Sequence, residues 1–348
     1  MTLPEFIDSI EKLITYYRTS TSSNIINIIN DEISQQERGK TLSYAGPSPY
    51  YGDILEDPEI VWADDDDWLP RDLSTVLQQE EEGKINDRIK NALDRLKLQG
   101  DKIPSFWKQK YETKAYQYWH EFYKRNTDRF YKDRHYLHIV FPELAPTNIS
   151  SSSSSYTTTM LEVGCGVGNA VTPLIEINNS LKVFAMDFAK SAIDTLKKHD
   201  YCQGDNPPIV AFQGDIVKDD LLNTIPEESL DVVLCLFVLS AITPSEHGQV
   251  IRKLSRLLKP GGKLLIRDYG RFDEAQLRFK KGKLDENFYV RCDGTCSYFF
   301  ELQSLVDTCT STNQLIEEEA KYILRQFANR SKKEKRTRVW VHAKFIKI

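Results

Sequence analysis

The amino-acid sequence predicts an α/β fold: a mostly parallel sheet with helices on both faces, preceded by a largely helical N-terminal extension. Three observations carry this expectation. Short apolar runs at 160–164, 181–187, 209–215, 230–240 and 261–270 alternate with segments of helix length, the rhythm of βαβ units. The first run opens into glycines at every second position, Gly164, Gly166 and Gly168, which let the backbone turn sharply and approach a ligand. Acids then close the successive runs, at Asp187, Asp215 and Asp268.

The composition suits a soluble globular chain. Of 348 residues, 28% are charged and 40% hydrophobic, enough for a sizeable core. The longest apolar run, 232–242, is about half of what a bilayer requires, so no membrane association is expected. Acids stand in the first twelve residues where a leader peptide wants bases, which points to the cytoplasm, with the nucleus as a second compartment. Six cysteines without CxxC spacing read as free thiols in a reducing compartment, and no metal is expected. The net charge of −5 conceals a split. Residues 1–100 hold 10 Lys/Arg against 20 Asp/Glu, whereas 321–348 holds 10 basic residues against the single Glu334.

Taken in order, residues 1–105 form an acidic extension, expected to select a binding partner. Leu3, Phe6, Ile7, Ile10, Leu13, Ile14 and Tyr17 recur at helical spacing behind a Thr2/Glu5 capping box. A Gly/Pro/Tyr-rich stretch (44–52) and an acidic run between tryptophans (62–70) follow, the latter a solvated loop or a partner-binding segment. Ile85, Ile89, Leu93 and Leu96 predict a short amphipathic helix. Residues 106–140 turn aromatic and basic, with Tyr111, Ala115, Trp119 and Phe122 on one helical face. A Ser/Thr tract at 150–159 reads as a flexible loop, and an apolar run at 337–348 would close the sheet.

The glycine turn is not the dinucleotide form, whose third glycine would fall on Asn169. Glu162 with Gly164, Gly166 and Gly168 has the [DE]xGxGxG form typical of class I methyltransferases that use S-adenosylmethionine, and it implies their Rossmann-like seven-stranded sheet. That cofactor carries no pyrophosphate but a cationic ammonium and sulfonium, which suits Glu162. Asp187 can accept both ribose hydroxyls. Asp215 can accept from the adenine amino group while Ile216 packs on the ring, and Leu236 and Phe237 reach the carboxyl edge of the sheet. Taken singly, each acid could be a helix cap.

Two routes for the acceptor close. The run 206–209 (NPPI) precedes the third strand and lacks the aromatic residue of amino-directed nucleic-acid methyltransferases. Cys235 lies mid-strand, unsuited to be the nucleophile of carbon-5 methylation. The motifs WxxFYKxN (119–126), FYKDRHYL (130–137), LEVGCGVGN (161–169), FVLSAI (237–242), RDYGRxDxAQLRF (267–279) and ENFYVRxDGTxSYFF (286–300) remain. On these motifs the sequence resembles the eukaryotic tRNA 3-methylcytidine methyltransferases over about 106–348. The resemblance implies methylation of cytidine 32 in the anticodon loop of threonine, serine or arginine tRNAs, and for serine tRNA a dependence on seryl-tRNA synthetase. The sequence departs from the family at Cys292 and Cys296, the latter removing a usual positive charge, and in its Ser/Thr tract.

The resemblance further implies that Trp119 and Tyr123, one helical turn apart, form a lid over the cofactor, and that Arg134 and His135 hold the flipped cytidine or its phosphate. The ring nitrogen of cytosine has an in-plane lone pair and no proton at neutral pH, so catalysis is mostly positioning. Asp268 is expected to face the charge that develops on the base, with Tyr269 as a stacking wall. An acceptor-side segment (271–300) and the basic C-terminus are expected to track the RNA through Lys132, Arg271, Arg278, Lys280, Lys281, Arg291, Lys332, Lys333, Lys335, Arg336 and Arg338. The alternatives are a methyltransferase of a protein or small molecule, or a cofactor-binding scaffold subunit without catalysis.

Overall fold

The computed structural model describes residues 61–62, 71–72, 82–127, 130–146, 156–311, 313–329 and 334–348. The helix expected at 3–17, the stretch at 44–52, most of the acidic run at 62–70 and most of the Ser/Thr tract lie outside the described residues.

The core of the sheet consists of parallel strands β3 (Thr158–Val163), β4 (Leu181–Asp187), β5 (Ile209–Gln213), β6 (Leu230–Leu236) and β7 (Leu258–Tyr269). Two long strands, β11 (Leu315–Asn329) and β12 (Glu334–Lys347), extend it, and the short β1 (Val61–Trp62) and β2 (Arg71–Asp72) pair with β11. The resulting order is β1-β11-β12-β7-β6-β3-β4-β5. The expected seven strands run from β11 to β5. The C-terminal run does not take the sheet's edge. It enters as β12 between β7 and β11, antiparallel to both, because β11 and β12 form one long hairpin.

Strand β3 lies between β4 and β6. The chain therefore steps outward through β4 and β5, then crosses back to β6, and this reversal opens a crevice at the carboxyl ends of β3 and β6. Both faces of the sheet are covered. Val232, Leu234 and Leu236 of β6 pack with Leu137 of helix α4 (Leu137–Val140), Leu174 of α5 (Val171–Ile177) and Ile193 of α6 (Lys190–Leu196). Val233 and Cys235, pointing the other way, are also fully buried. Helix α7 (His247–Leu257) buries Val250, Ile251 and Leu254, and α9 (Leu302–Thr310) buries Leu305 and Cys309. The NPPI segment is an ordinary loop whose Asn206 side chain and Pro207 carbonyl accept from Lys182 Nζ.

Between β7 and α9 the chain forms helix α8 (Glu274–Leu277) and a small antiparallel sheet of β8 (Lys283–Asp285), β9 (Phe288–Val290) and β10 (Cys296–Tyr298). Helix α1 (Glu82–Lys97) is tied to this insertion: Arg95 pairs with Glu274 at 2.8 Å, and Gln99 just beyond α1 donates to the Gln276 carbonyl at 2.7 Å. Helices α2 (Ser105–Thr113) and α3 (Ala115–Asn126) follow. Among the described residues no helix is long and apolar enough to cross a membrane.

Asp273 clamps the insertion to the sheet. It is fully buried and accepts from Arg338 Nε at 2.8 Å, the Val339 N–H at 2.8 Å and the Ala275 N–H at 2.7 Å. Asp273→Ala leaves these donors unmatched, so chemical denaturation should show a loss of ~2–4 kcal/mol. A loss below about 1 kcal/mol would show that the clamp contributes little.

Candidate cofactor and acceptor site

Strand β3 delivers Glu162 into the crevice. It is buried, and its Oε2 has no hydrogen-bond partner. Burial pushes its carboxyl up to about 8, against the pull of the Arg134 charge and with a further push from Asp187. The turn that follows depends on glycine. Gly166 has φ +55°, and a Cβ there would stand 2.6 Å from the Tyr123 hydroxyl. Asp187, at the end of β4, accepts from the Gly166 N–H at 2.9 Å and the Ala189 N–H at 2.8 Å. Burial raises its pKa to about 6, and those two donors hold it there.

Asp215 accepts from the Val217 N–H at 3.0 Å, and Ile216 beside it is buried. Trp119 and Tyr123 of α3 pack with Phe122, Ala189 and Ala192, and thereby hold α3 against the glycine turn and the end of β4. One cavity of about 580 Å³ is lined by Trp119, Tyr123, Glu162, Gly164, Gly166, Asp187, Asp215, Ile216 and Leu236 together. Its size suits a small-molecule site.

The same cavity is lined by Lys132, Arg134, Phe237, Tyr269, Arg338 and Trp340. Tyr269 ends β7, with its ring centroid 4.9 Å from that of Phe237. The guanidiniums of Arg291 and Arg338 lie 5.6 Å and 5.4 Å from the Tyr269 ring, and that of Arg134 lies 4.9 Å from the Phe237 ring. Phe237 has φ +55°, a strained conformation for a bulky residue, and its N–H is held by the Arg267 carbonyl at 2.8 Å.

Three expected acceptor residues fall elsewhere. Asp268 is fully buried and does not line the cavity. Its carboxylate accepts from the Ser240 N–H at 2.9 Å and the Tyr269 N–H at 2.8 Å, so it fixes the turn after β6 and the base of Tyr269. His135 is exposed, in the turn at 135–136, and outside the lining. Arg271 is mostly covered and pairs with Glu301. Arg278, Lys280 and Lys281 are exposed. Lys332 and Lys333 lie outside the described residues, and Lys335 and Arg336 are described only through their backbone in β12.

Trp340 and Tyr131 line this end without having been expected, and Asp273 holds Arg338 from behind it. Trp340 sits in a run that alternates like any strand, and nothing in its spacing marks a cavity wall.

The chain is 38% identical over 290 residues to the tRNA N(3)-cytidine methyltransferase METTL2 of Danio rerio, a match covering 74% of this chain and 80% of that protein. With METTL6 of Homo sapiens, also named a tRNA N(3)-cytidine methyltransferase, it shares 40% over 268 residues, 76% of this chain and 92% of that one. The chain belongs to the tRNA N(3)-cytidine methyltransferase family. A methyltransferase-domain model matches residues 161–264, from inside β3 to the start of the β7 core, which contains the glycine turn and all three cofactor-side acids. The family's Drosophila melanogaster member Mettl2 is 41% identical over 249 residues, 71% of this chain and 75% of its own.

S-adenosylmethionine fits these residues. The unpartnered Glu162 oxygen matches a cationic ammonium, and Asp187 and Asp215 line the same cavity with acceptors for hydroxyl and amino groups. Glu162→Gln should separate binding from folding. The folded protein keeps a proton on Glu162 up to about 8, whereas the unfolded chain releases it near the ordinary value. Stability attached to this group is thus whole at low pH and lost as pH rises through about 8. Without cofactor, Glu162→Gln should melt with the wild type at pH 5 and several degrees higher at pH 8.5, while losing S-adenosylmethionine affinity. Equal melting at both pH values would show that the carboxyl is not desolvated.

Proposed function

We propose that this chain transfers the methyl group of S-adenosylmethionine to ring nitrogen 3 of cytidine 32 in the anticodon loop of threonine or serine tRNA, acting in the cytoplasm. The observation that carries this reading is that one cavity is lined both by the cofactor-side acids Glu162, Asp187 and Asp215 and by Arg134, Phe237, Tyr269 and Arg338. When bound, the cofactor supplies a methyl group on a positively charged sulfur. Glu162 holds the ammonium, Asp187 the ribose, and Asp215 with Ile216 the adenine, while Trp119 and Tyr123 cover them.

The target nitrogen presents a lone pair in the ring plane, so no side chain has to remove a proton. The chain's work is to hold the splayed base in line. Tyr269 and Phe237 offer aromatic walls, Arg134 and Arg291 offer charge to the flanking phosphates, and Arg338, paired with Asp273, backs the Tyr269 ring. Asp268 acts one layer back as a positioning residue, through the N–H groups of Ser240 and Tyr269. Lys132, Arg278, Lys280 and Lys281 extend the cationic surface. Residues 1–105 select the tRNA, and a serine-tRNA activity would use seryl-tRNA synthetase as partner.

Incubating unmodified threonine or serine tRNA with S-adenosylmethionine and the full chain, with and without the synthetase, should yield 3-methylcytidine at position 32 by mass spectrometry. No product under either condition would reject the assignment. Tyr269→Ala should lower kcat/KM for tRNA by about ten- to hundredfold without weakening cofactor binding. Asp268→Ala should lower activity and melting temperature together. Activity lost with melting unchanged would instead place Asp268 against the base.

A further inference from the structure

Helix α2 carries a surface that the site leaves unused. None of its residues is buried; Phe106 is 68% exposed and Trp107 43%. Their rings meet edge to face with centroids 5.5 Å apart, and Lys110 Nζ lies 4.4 Å from the Trp107 ring. Two neighbouring aromatic rings held open to water mark a contact surface rather than a core.

The surroundings supply the charge. The Gly100 N–H donates to the Lys280 carbonyl and the Ile103 N–H to that of Lys283, so the loop at 278–283 lies against the segment leading into α2. Segments 98–114 and 278–286 together hold eight Lys/Arg against four Asp/Glu. Asp285 is already engaged by Lys102 and Lys108, at 2.5 and 2.7 Å, while Lys114, Lys280 and Lys281 are exposed and Lys110 is half-buried beside the Trp107 ring. The far end of the same helix, Glu112 and Thr113, lines the cavity. Trp107 stands about 9 Å along the axis from Thr113, within reach of a strand that enters there.

We infer that Phe106 and Trp107 form a stacking platform for an unpaired base of the bound RNA outside the target pocket, with Lys110, Lys280 and Lys281 on its phosphates. The inference rests on the proposed tRNA substrate and adds a second contact to it. Aromatic faces interleaved with cations are what single-stranded RNA requires. The buried centre of a protein interface, by contrast, is depleted in lysine.

The test measures binding of unmodified tRNA transcript to the full chain by fluorescence anisotropy. Phe106→Ala combined with Trp107→Ala should weaken Kd about tenfold or more, and Trp107→Phe should restore most of it. Lys280→Gln with Lys281→Gln should lower the slope of log Kd against log salt by about 1 to 2, a change the aromatic pair should not produce. Retained S-adenosylmethionine binding checks that each variant is folded. Wild-type affinity in the doubly substituted aromatic variant overturns the inference. So does a fall in synthetase-dependent methylation with tRNA affinity unchanged, which would give the surface to a protein. A wild-type chain that neither binds nor methylates tRNA sinks the functional proposal as well, and so separates the two failures.

Discussion

Glu162 and Asp187 are both taken out of water at the ends of adjacent strands, yet the structure treats them differently. Each is desolvated, which favours the protonated form. Asp187 receives two backbone N–H groups and is held near 6; Glu162 receives none at Oε2 and rises to about 8. The difference in donors assigns the roles. Asp187 is a tie that closes the glycine turn onto β4 whether or not a ligand is bound. Glu162 is left responsive, a buried acceptor whose charged state is favoured only when a cation arrives.

The glycine turn transmits this requirement outward. The Tyr123 hydroxyl occupies the space a side chain at position 166 would take, so turn and lid have to be correct together. The residue after the turn, Asn169, accepts the Arg134 N–H at 2.7 Å and donates through Nδ2 to Asp133 at 2.9 Å. The aromatic and basic loop before β3 is therefore registered on the same turn, and this places the Arg134 guanidinium where it tempers Glu162. Cofactor pocket and acceptor wall share one anchor.

Much of this was legible in the sequence, for a local reason. Strand periodicity, glycines needing positive φ and acids at strand ends are short-range features, and all nine residues chosen for the cofactor line one cavity. What was not legible depended on distant partners. Asp268 also ends a strand, but its orientation is set by the turn after β6, whose Ser240 N–H captures it. Arg271 looked like a phosphate ligand until Glu301, thirty residues on, took its charge. The place of the C-terminal strand depended on β11, whose mixed pattern gave no strand signal of its own, and hairpin pairing put β12 inside the sheet. The turn at 135–136 leaves Arg134 on the cavity and His135 exposed, which no motif states.

Arg134 belongs to both ends of the cavity. Its charge lowers the carboxyl of Glu162, its guanidinium lies over Phe237, and its Nη1 reaches the Tyr136 hydroxyl at 3.4 Å. Removing it would raise Glu162 further and uncover the acceptor wall at the same time, so a single substitution cannot divide its effect between cofactor and base. The pair with Glu162 is close enough for the two substitutions to be non-additive. In Glu162→Gln the electrostatic debt that Arg134 offsets no longer exists, so whatever Arg134→Ala still does in that background acts through Phe237 and Tyr136. That remainder is the acceptor-side contribution, isolated from the charge balance that dominates the cofactor side.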